Sequence, residues 1–247
     1  MTFNTVIVRD LDDVVNHLPD LSSKIGFKLA DARLTLVKPN ICGLYHPSSD
    51  LLSSIIKLLL PHTESIVIGD TKSMMHIPEE QFKRLGLYTI LQRFSGNVRA
   101  VDLSDDEWVK VHVSKPHALR EIDLPRTALD SDVLLNVPKV GTHSTTHLTC
   151  ALKNLFGLLP QRDKYGVFHP LGMDKVIADI AQVVQPDLNI VDAGSKAVLG
   201  MDTLAVDVVA CRFVNLNPLK VEHLRLVSED RGVRLEDFVK MIEVVEL

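Results

Sequence analysis

Four short apolar runs in this chain each end in a polar cluster, and that repetition narrows the possible folds. Residues 34–37 run into Lys38-Pro39-Asn40, 65–68 into Gly69-Asp70-Thr71-Lys72, 133–135 into Asn136-Val137-Pro138-Lys139, and 188–191 into Asp192. Short apolar runs with little alternation suit strands covered on both faces. Proline cannot donate to a sheet ladder, so Pro39 and Pro138 mark where pairing stops. Helical stretches separate the runs. Residues 50–60 are rich in Leu and Ile, Pro78 is followed by Glu79 and Glu80 as in a first helical turn, and 173–184 has helical character. The alternation predicts an α/β fold: a mostly parallel layered sheet with helices on both faces. Parallel strands end along one edge, so their polar clusters converge on one crevice. Turns use the same residue types, and each cluster taken singly also reads as turn chemistry.

The remaining segments fill in around this frame. Residues 4–8 suit a first strand and 11–18 a short helix. Residues 98–103, 108–113 and 120–124 read as strands, and the second alternates Trp108, Lys110 and His112 with Val109, Val111 and Val113. That period of two predicts one wet face, hence a small antiparallel excursion near 98–124. Residues 202–214 and 221–229 read as helices and 239–245 as a closing strand. A long loop, 159–172, carries Arg162, Lys164, Tyr165 and His169, and loops of that length often serve as lids or binding segments. No repeat or linker divides the chain, so one domain over 1–247 is expected.

Composition removes several function classes. A net charge of −5 is unlike that of a general nucleic-acid binder. No apolar run approaches the roughly 18 residues of a membrane span. The start of the chain lacks a signal-peptide pattern. Cys42, Cys150 and Cys211 lie far apart with no CxxC pair, so neither a zinc ribbon nor an iron–sulfur cluster is expected. Reduced thiols in the cytoplasm are the simplest reading. No GxGxxG motif offers a dinucleotide site. A homo-oligomer is compatible with all of this.

The densest chemistry lies in residues 133–157, VLLNVPKVGTHSTTHLTCALKNLFG. Residues 146–156 read as a helix, with Leu148, Ala151, Leu152 and Leu155 on one stripe and Thr146, Thr149, Cys150 and Lys153 opposite. On such a helix His143 and His147, four apart, could share a metal, although no Glu follows the first as in zinc proteases. The candidate catalytic pair is His143, as general acid/base, and Lys153. Lys38, Asn40, Asn136, Lys139, Thr142 and Asn154 are candidates to bind a small anionic ligand. His143, His147, Asp70 and Asp192 are candidates for a divalent metal.

These residues resemble the DUF362 family. The hallmarks are Lys38-Pro39-Asn40, Gly69-Asp70, Asn136-x-Pro138-Lys139-x-x-Thr142-His143, and Ala151-Leu152-Lys153-Asn154-Leu155-Phe156-Gly157, with His169, Asp179, Asp192 and the stretch from Asp202 to Asp207. The resemblance implies a fold and a site but no reaction, because the family's activity is unknown. Many members carry an iron–sulfur domain with clustered cysteines, which this chain lacks. Many also have a Gly/Pro-rich loop after the strand ending at Asp192, whereas 194–201 is short and holds only Gly194 and Gly200. The chain is also distantly similar to lactate-racemase-like proteins, which use a nickel-pincer nucleotide and place a His and a Lys ten apart, as His143 and Lys153 are. That similarity implies a lysine joined to a cofactor and histidines handling metal and protons, without the intervening glycines. Three functions remain open: an enzyme using acid/base chemistry on a small anion, a non-catalytic anion, metal or cofactor binder, and a subunit of a redox complex.

Overall fold

The computed structural model describes residues 4–246. In chain order the elements are β1 (Thr5–Asp10), α1 (Leu11–Lys24), β2 (Ala32–Pro39), α2 (Ser49–Leu59), β3 (Thr63–Asp70), α3 (Pro78–Arg84), α4 (Leu87–Leu91) and β4 (Val98–Asp102). Next come β5 (Trp108–His112), β6 (Glu121–Pro125), α5 (Arg126–Asp130), β7 (Val133–Val137), β8 (Gly141–His143), β9 (His147–Thr149), α6 (Ala151–Leu155), α7 (Lys164–Phe168) and α8 (Met173–Val183). The chain ends with β10 (Leu188–Asp192), β11 (Lys196–Gly200), α9 (Thr203–Ala210), α10 (Glu222–Asp230), α11 (Leu235–Lys240) and β12 (Glu243–Glu246).

Eight strands form one sheet in the order β12-β1-β11-β10-β7-β2-β3-β4. Pairing is parallel from β10 through β4 and between β1 and β12, and β11 alone runs against its neighbours. The four apolar runs are β2, β3, β7 and β10, adjacent in the sheet. Successive residues feed opposite layers. Leu36, Leu134, Val191 and Val198 pack with α6, α8, α9 and α10, while Val37, Leu135, Ile190 and Leu199 pack with α1 and α2. Two cores, one on each face, explain why these strands read as continuous apolar runs. Among the described residues no helix is long and apolar enough to cross a membrane.

Six local expectations change, two of them simply: residues 159–172 hold α7, and the closing strand is confined to Glu243–Glu246 because Leu235–Lys240 is helical. The segment 98–103 is not antiparallel: β4 pairs parallel with β3 as the sheet's edge. The antiparallel excursion is the β5/β6 hairpin, residues 108–125. Residues 146–156 are not one helix. The β8/β9 hairpin occupies 141–149, and α6 begins only at Ala151. His147 sits at φ 59°, which no helix accommodates, and the Thr146 hydroxyl donates to the Leu148 carbonyl in a local turn. Residues 194–201 are not merely a short loop, because 196–200 form β11 within the sheet. Finally, α1 runs to Lys24 instead of stopping near Leu18; it kinks at His17, which frees the turn that Pro19 would otherwise break.

Candidate functional site

The carboxyl ends of β2, β3 and β7 meet over a fully buried ion pair. Lys38 Nζ lies 2.8 Å from Asp70 Oδ1 and donates to Asn154 Oδ1 at 3.1 Å and the Pro39 carbonyl at 3.0 Å. Asp70 Oδ2 accepts the Ile41 and Cys42 amides at 3.0 and 2.9 Å, and Oδ1 accepts the Thr71 amide at 2.9 Å. The carboxylate thus ties the loops after β2 and β3 together. Gly157 has no side chain because a Cβ there would lie 2.7 Å from Lys38 Nζ and 3.0 Å from Asp70 Oδ1.

A ladder of buried amides extends from this pair across the sheet. Asn154 Nδ2 donates to the Lys38 carbonyl (2.8 Å) and Asn136 Oδ1 (2.7 Å). Asn136 Nδ2 donates to the Ala151 carbonyl (3.0 Å) and Asn189 Oδ1 (2.8 Å), and Asn189 Nδ2 reaches Thr203 Oγ1 at 3.2 Å. The ladder locks α6 onto the strand ends. Asp207 secures the start of α6, accepting the Ala151 and Leu152 amides at 2.6 and 3.0 Å. Burial pushes its carboxyl above the usual range. Replacing Asp207 by Ala leaves two buried amides without an acceptor, so a loss of about 1–3 kcal/mol is expected in urea unfolding, and Asp207→Asn, which keeps one acceptor oxygen, should lose less.

Above this floor opens a cavity of about 360 Å³. Asn40 and Tyr45 line it from the loop after β2, Thr71 and Met74 from the loop after β3, His143 from β8, Lys153 from α6, and Arg162, Lys164 and His169 from the segment beyond. Among the described residues no carboxylate lies within ion-pair distance of Lys153, although the Asp174 charge acts on it from further off; its ammonium lies 5.5 Å from the Phe156 ring centroid. Burial pulls it from 10.5 down to about 8. His143 is pulled down to about 4, first by burial and then by the Lys153 and His169 charges. Its Nδ1 accepts the Thr145 and Thr146 amides at 3.3 Å each, so the neutral ring carries its proton on Nε2. Lys164 Nζ donates to Thr71 Oγ1 (2.9 Å) and the Lys72 carbonyl (2.6 Å), and burial lowers it to about 8. Tyr165 stacks on His169 with centroids 3.8 Å apart. Asp70 is the one acid among the lining residues, and Lys38 neutralises it. The cavity therefore carries an excess of positive charge.

His143, Lys153, Asn40, Thr142 and Asn154 all line the cavity, as does Asp70. Lys38 and Asn136 lie beneath it with no exposed surface. Lys139 turns toward Asp192, 3.4 Å away. The four residues singled out for a metal are not gathered. His147, exposed, is the cross-strand neighbour of His143 in the β8/β9 hairpin, but Asp70 is committed to Lys38 and Asp192 accepts the Ser48 and Gly194 amides, so among the described residues no third ligand joins the two histidines. Among the described residues, the ligand atoms of Glu79, Asp102 and Asp105 form the one trio within 4.8 Å, and Lys72 already bridges the latter two. This donor set does not fit a divalent ion held in the cavity by protein groups, and no step below runs through one. The sequence marks Lys164 and Tyr45 only as loop residues and gives Asn189 no role. For Asn189 the signal was present: an amide inside an otherwise apolar strand must find buried partners.

Fold and site define an open α/β protein with a cationic crevice at the strand ends. The DUF362 family, described as a domain of unknown function, matches residues 35–198, and the chain belongs to it. A thylakoid-associated protein of Synechocystis sp., sll1697, is 27% identical over 121 residues, covering 42% of this chain and 38% of that protein. The lactate racemase apoprotein of Thermoanaerobacterium thermosaccharolyticum superposes with a TM-score of 0.52 at 14% identity, covering 84% of this chain and 56% of that one. At that identity the likeness is one of fold. The chain thus spans well under two thirds of either relative.

Proposed function

We propose that this protein is an enzyme that binds a small organic anion in the strand-end cavity and moves a proton on it. The observation that carries the reading is Lys153, a desolvated ammonium with no carboxylate within ion-pair distance among the described residues, facing the same cavity as a neutral imidazole. A desolvated cation without a close counter-charge costs stability and is retained where a ligand supplies one. Arg162 and Lys164 hold the anionic group, and Asn40 and Thr142 orient it. Near neutral pH a fraction of Lys153 is the free amine, able to take a proton from carbon or oxygen. His143, too weak a base at about 4, offers its Nε2–H to the oxygen where negative charge develops. The general acid/base role expected of His143 thus moves to Lys153, and His143 becomes the hydrogen-bond donor. The three free thiols support a reducing compartment such as the cytoplasm.

Calorimetric titration of the intact chain with acetate, inorganic phosphate and acetamide tests the binding step. The anions should bind and the neutral amide should not; silence from both anions sinks the proposal. Exchange of a bound carboxylate's α-hydrogen in D2O, followed by proton NMR over a panel of small carboxylates, tests the chemistry. Binding without exchange would favour a non-catalytic anion binder. His143→Gln should slow exchange about 10²- to 10³-fold with little change in affinity.

A further inference from the structure

We infer that the ligand of this cavity is an amphiphilic anion: one carboxylate or phosphate head on an extended apolar body. The inference rests on the anion site proposed above and names the class of molecule that fills it. Two cations sit in the half-buried interior, Lys164 anchored to the loop after β3 and Lys153 on α6, while Arg162 is exposed at the rim. Apart from Arg162 and Thr142 the exposed mouth is apolar. Leu44 is 84% exposed, Met75 82%, Tyr165 70% and Met74 60%, and all four line the cavity. Single exposed apolar side chains are ordinary, but these come from three separate segments and meet at one opening. Phe156 and Met173 continue the apolar wall inward, both buried.

Two of the uncharged polar groups are already committed within the protein. Thr71 lines the cavity, but its hydroxyl already bonds the Gly157 and Leu159 carbonyls, and Asn154 spends its amide on Lys38 and Asn136. Asn40, Ser73, Thr142 and Thr149 line the cavity as well and can fix the head group, and an apolar body beyond it needs no donors. Adjacent methionines are unbranched and polarizable, suited to covering alkyl or ring surfaces of differing shape. A cavity of about 360 Å³ is at the small end of pockets that enclose drug-sized ligands, which are mostly apolar with a few fixed polar groups.

Two series of ligands test this on the intact chain by calorimetry: straight-chain carboxylates from acetate to decanoate, and alkyl phosphates of matching length. Affinity should rise about three- to fourfold per methylene until the cavity fills. The series that climbs from the tighter short member identifies the head group. Met74→Ser/Met75→Ser should flatten the slope and leave acetate or phosphate binding unchanged, and Lys153→Met should weaken every member. A flat slope with short anions still bound overturns the amphiphile and spares the anion site. Failure of every member overturns both. Long-chain binding that survives Lys153→Met marks non-specific adsorption and overturns the inference.

Discussion

Lys153→Met is expected to fall about 10²- to 10⁴-fold in turnover while becoming more stable. The two effects share one cause. Burial holds the Lys153 ammonium at about 8 in the folded chain, against 10.5 in water. A depressed lysine is protonated in both states below about pH 8, so the full desolvation cost falls on the fold there. Between about 8 and 10.5 the folded amine is neutral while the unfolded chain still binds the proton, and the cost fades as pH rises. Methionine fills similar space without the charge. At pH 7 the variant should gain roughly 1–3 kcal/mol, read as a higher Tm, and the gain should vanish near pH 10.5. Stability traded against activity is the mark of a site residue rather than a packing residue. Equal melting curves for the two proteins at pH 7 would remove Lys153 as a strained, functional cation.

Asp70→Ala should be the most destabilising single change in the site, about 3–5 kcal/mol in denaturant titration. It strands the Lys38 ammonium, which has no exposed surface, and releases the Ile41, Cys42 and Thr71 amides. The double variant Lys38→Met/Asp70→Leu removes both charges and should recover part of that loss, leaving about 1–3 kcal/mol for the unmet amides. If the double variant is as unstable as the single, the amide bonds hold the loops and the ion pair adds nothing. Anion affinity should fall in either variant, because Asn40 and Cys42 at the cavity wall lose their anchor.

The four apolar runs and their polar ends were legible because a strand buried on both faces leaves a local signature: consecutive apolar residues, then proline or an acid. β11 carries a comparable core, Ala197-Val198-Leu199, but it is bounded by Lys196 and Gly200 and reads as a loop; its place between β10 and β1 depends on pairing across the sheet. Residues 146–149 of the hairpin carry a helical pattern because Leu148, Ala151, Leu152 and Leu155 keep helical spacing by coincidence of two elements. His143, Lys153 and Asn154 were found together since they lie within a dozen residues. Lys164 joins them only because its side chain reaches Thr71, 93 residues away in the chain.

Charge roles were settled least by local pattern. Lys38, Lys139 and Lys153 all follow or flank strand ends and are alike in sequence. Lys38 faces a buried carboxylate and becomes part of the floor, Lys139 faces Asp192, and Lys153 has only Asp174, beyond ion-pair distance. Which lysine remains free for a ligand depends on where distant aspartates fall once the sheet has formed. Backbone periodicity is written along the chain, whereas desolvation and ion pairing arise only between parts of it that folding brings together.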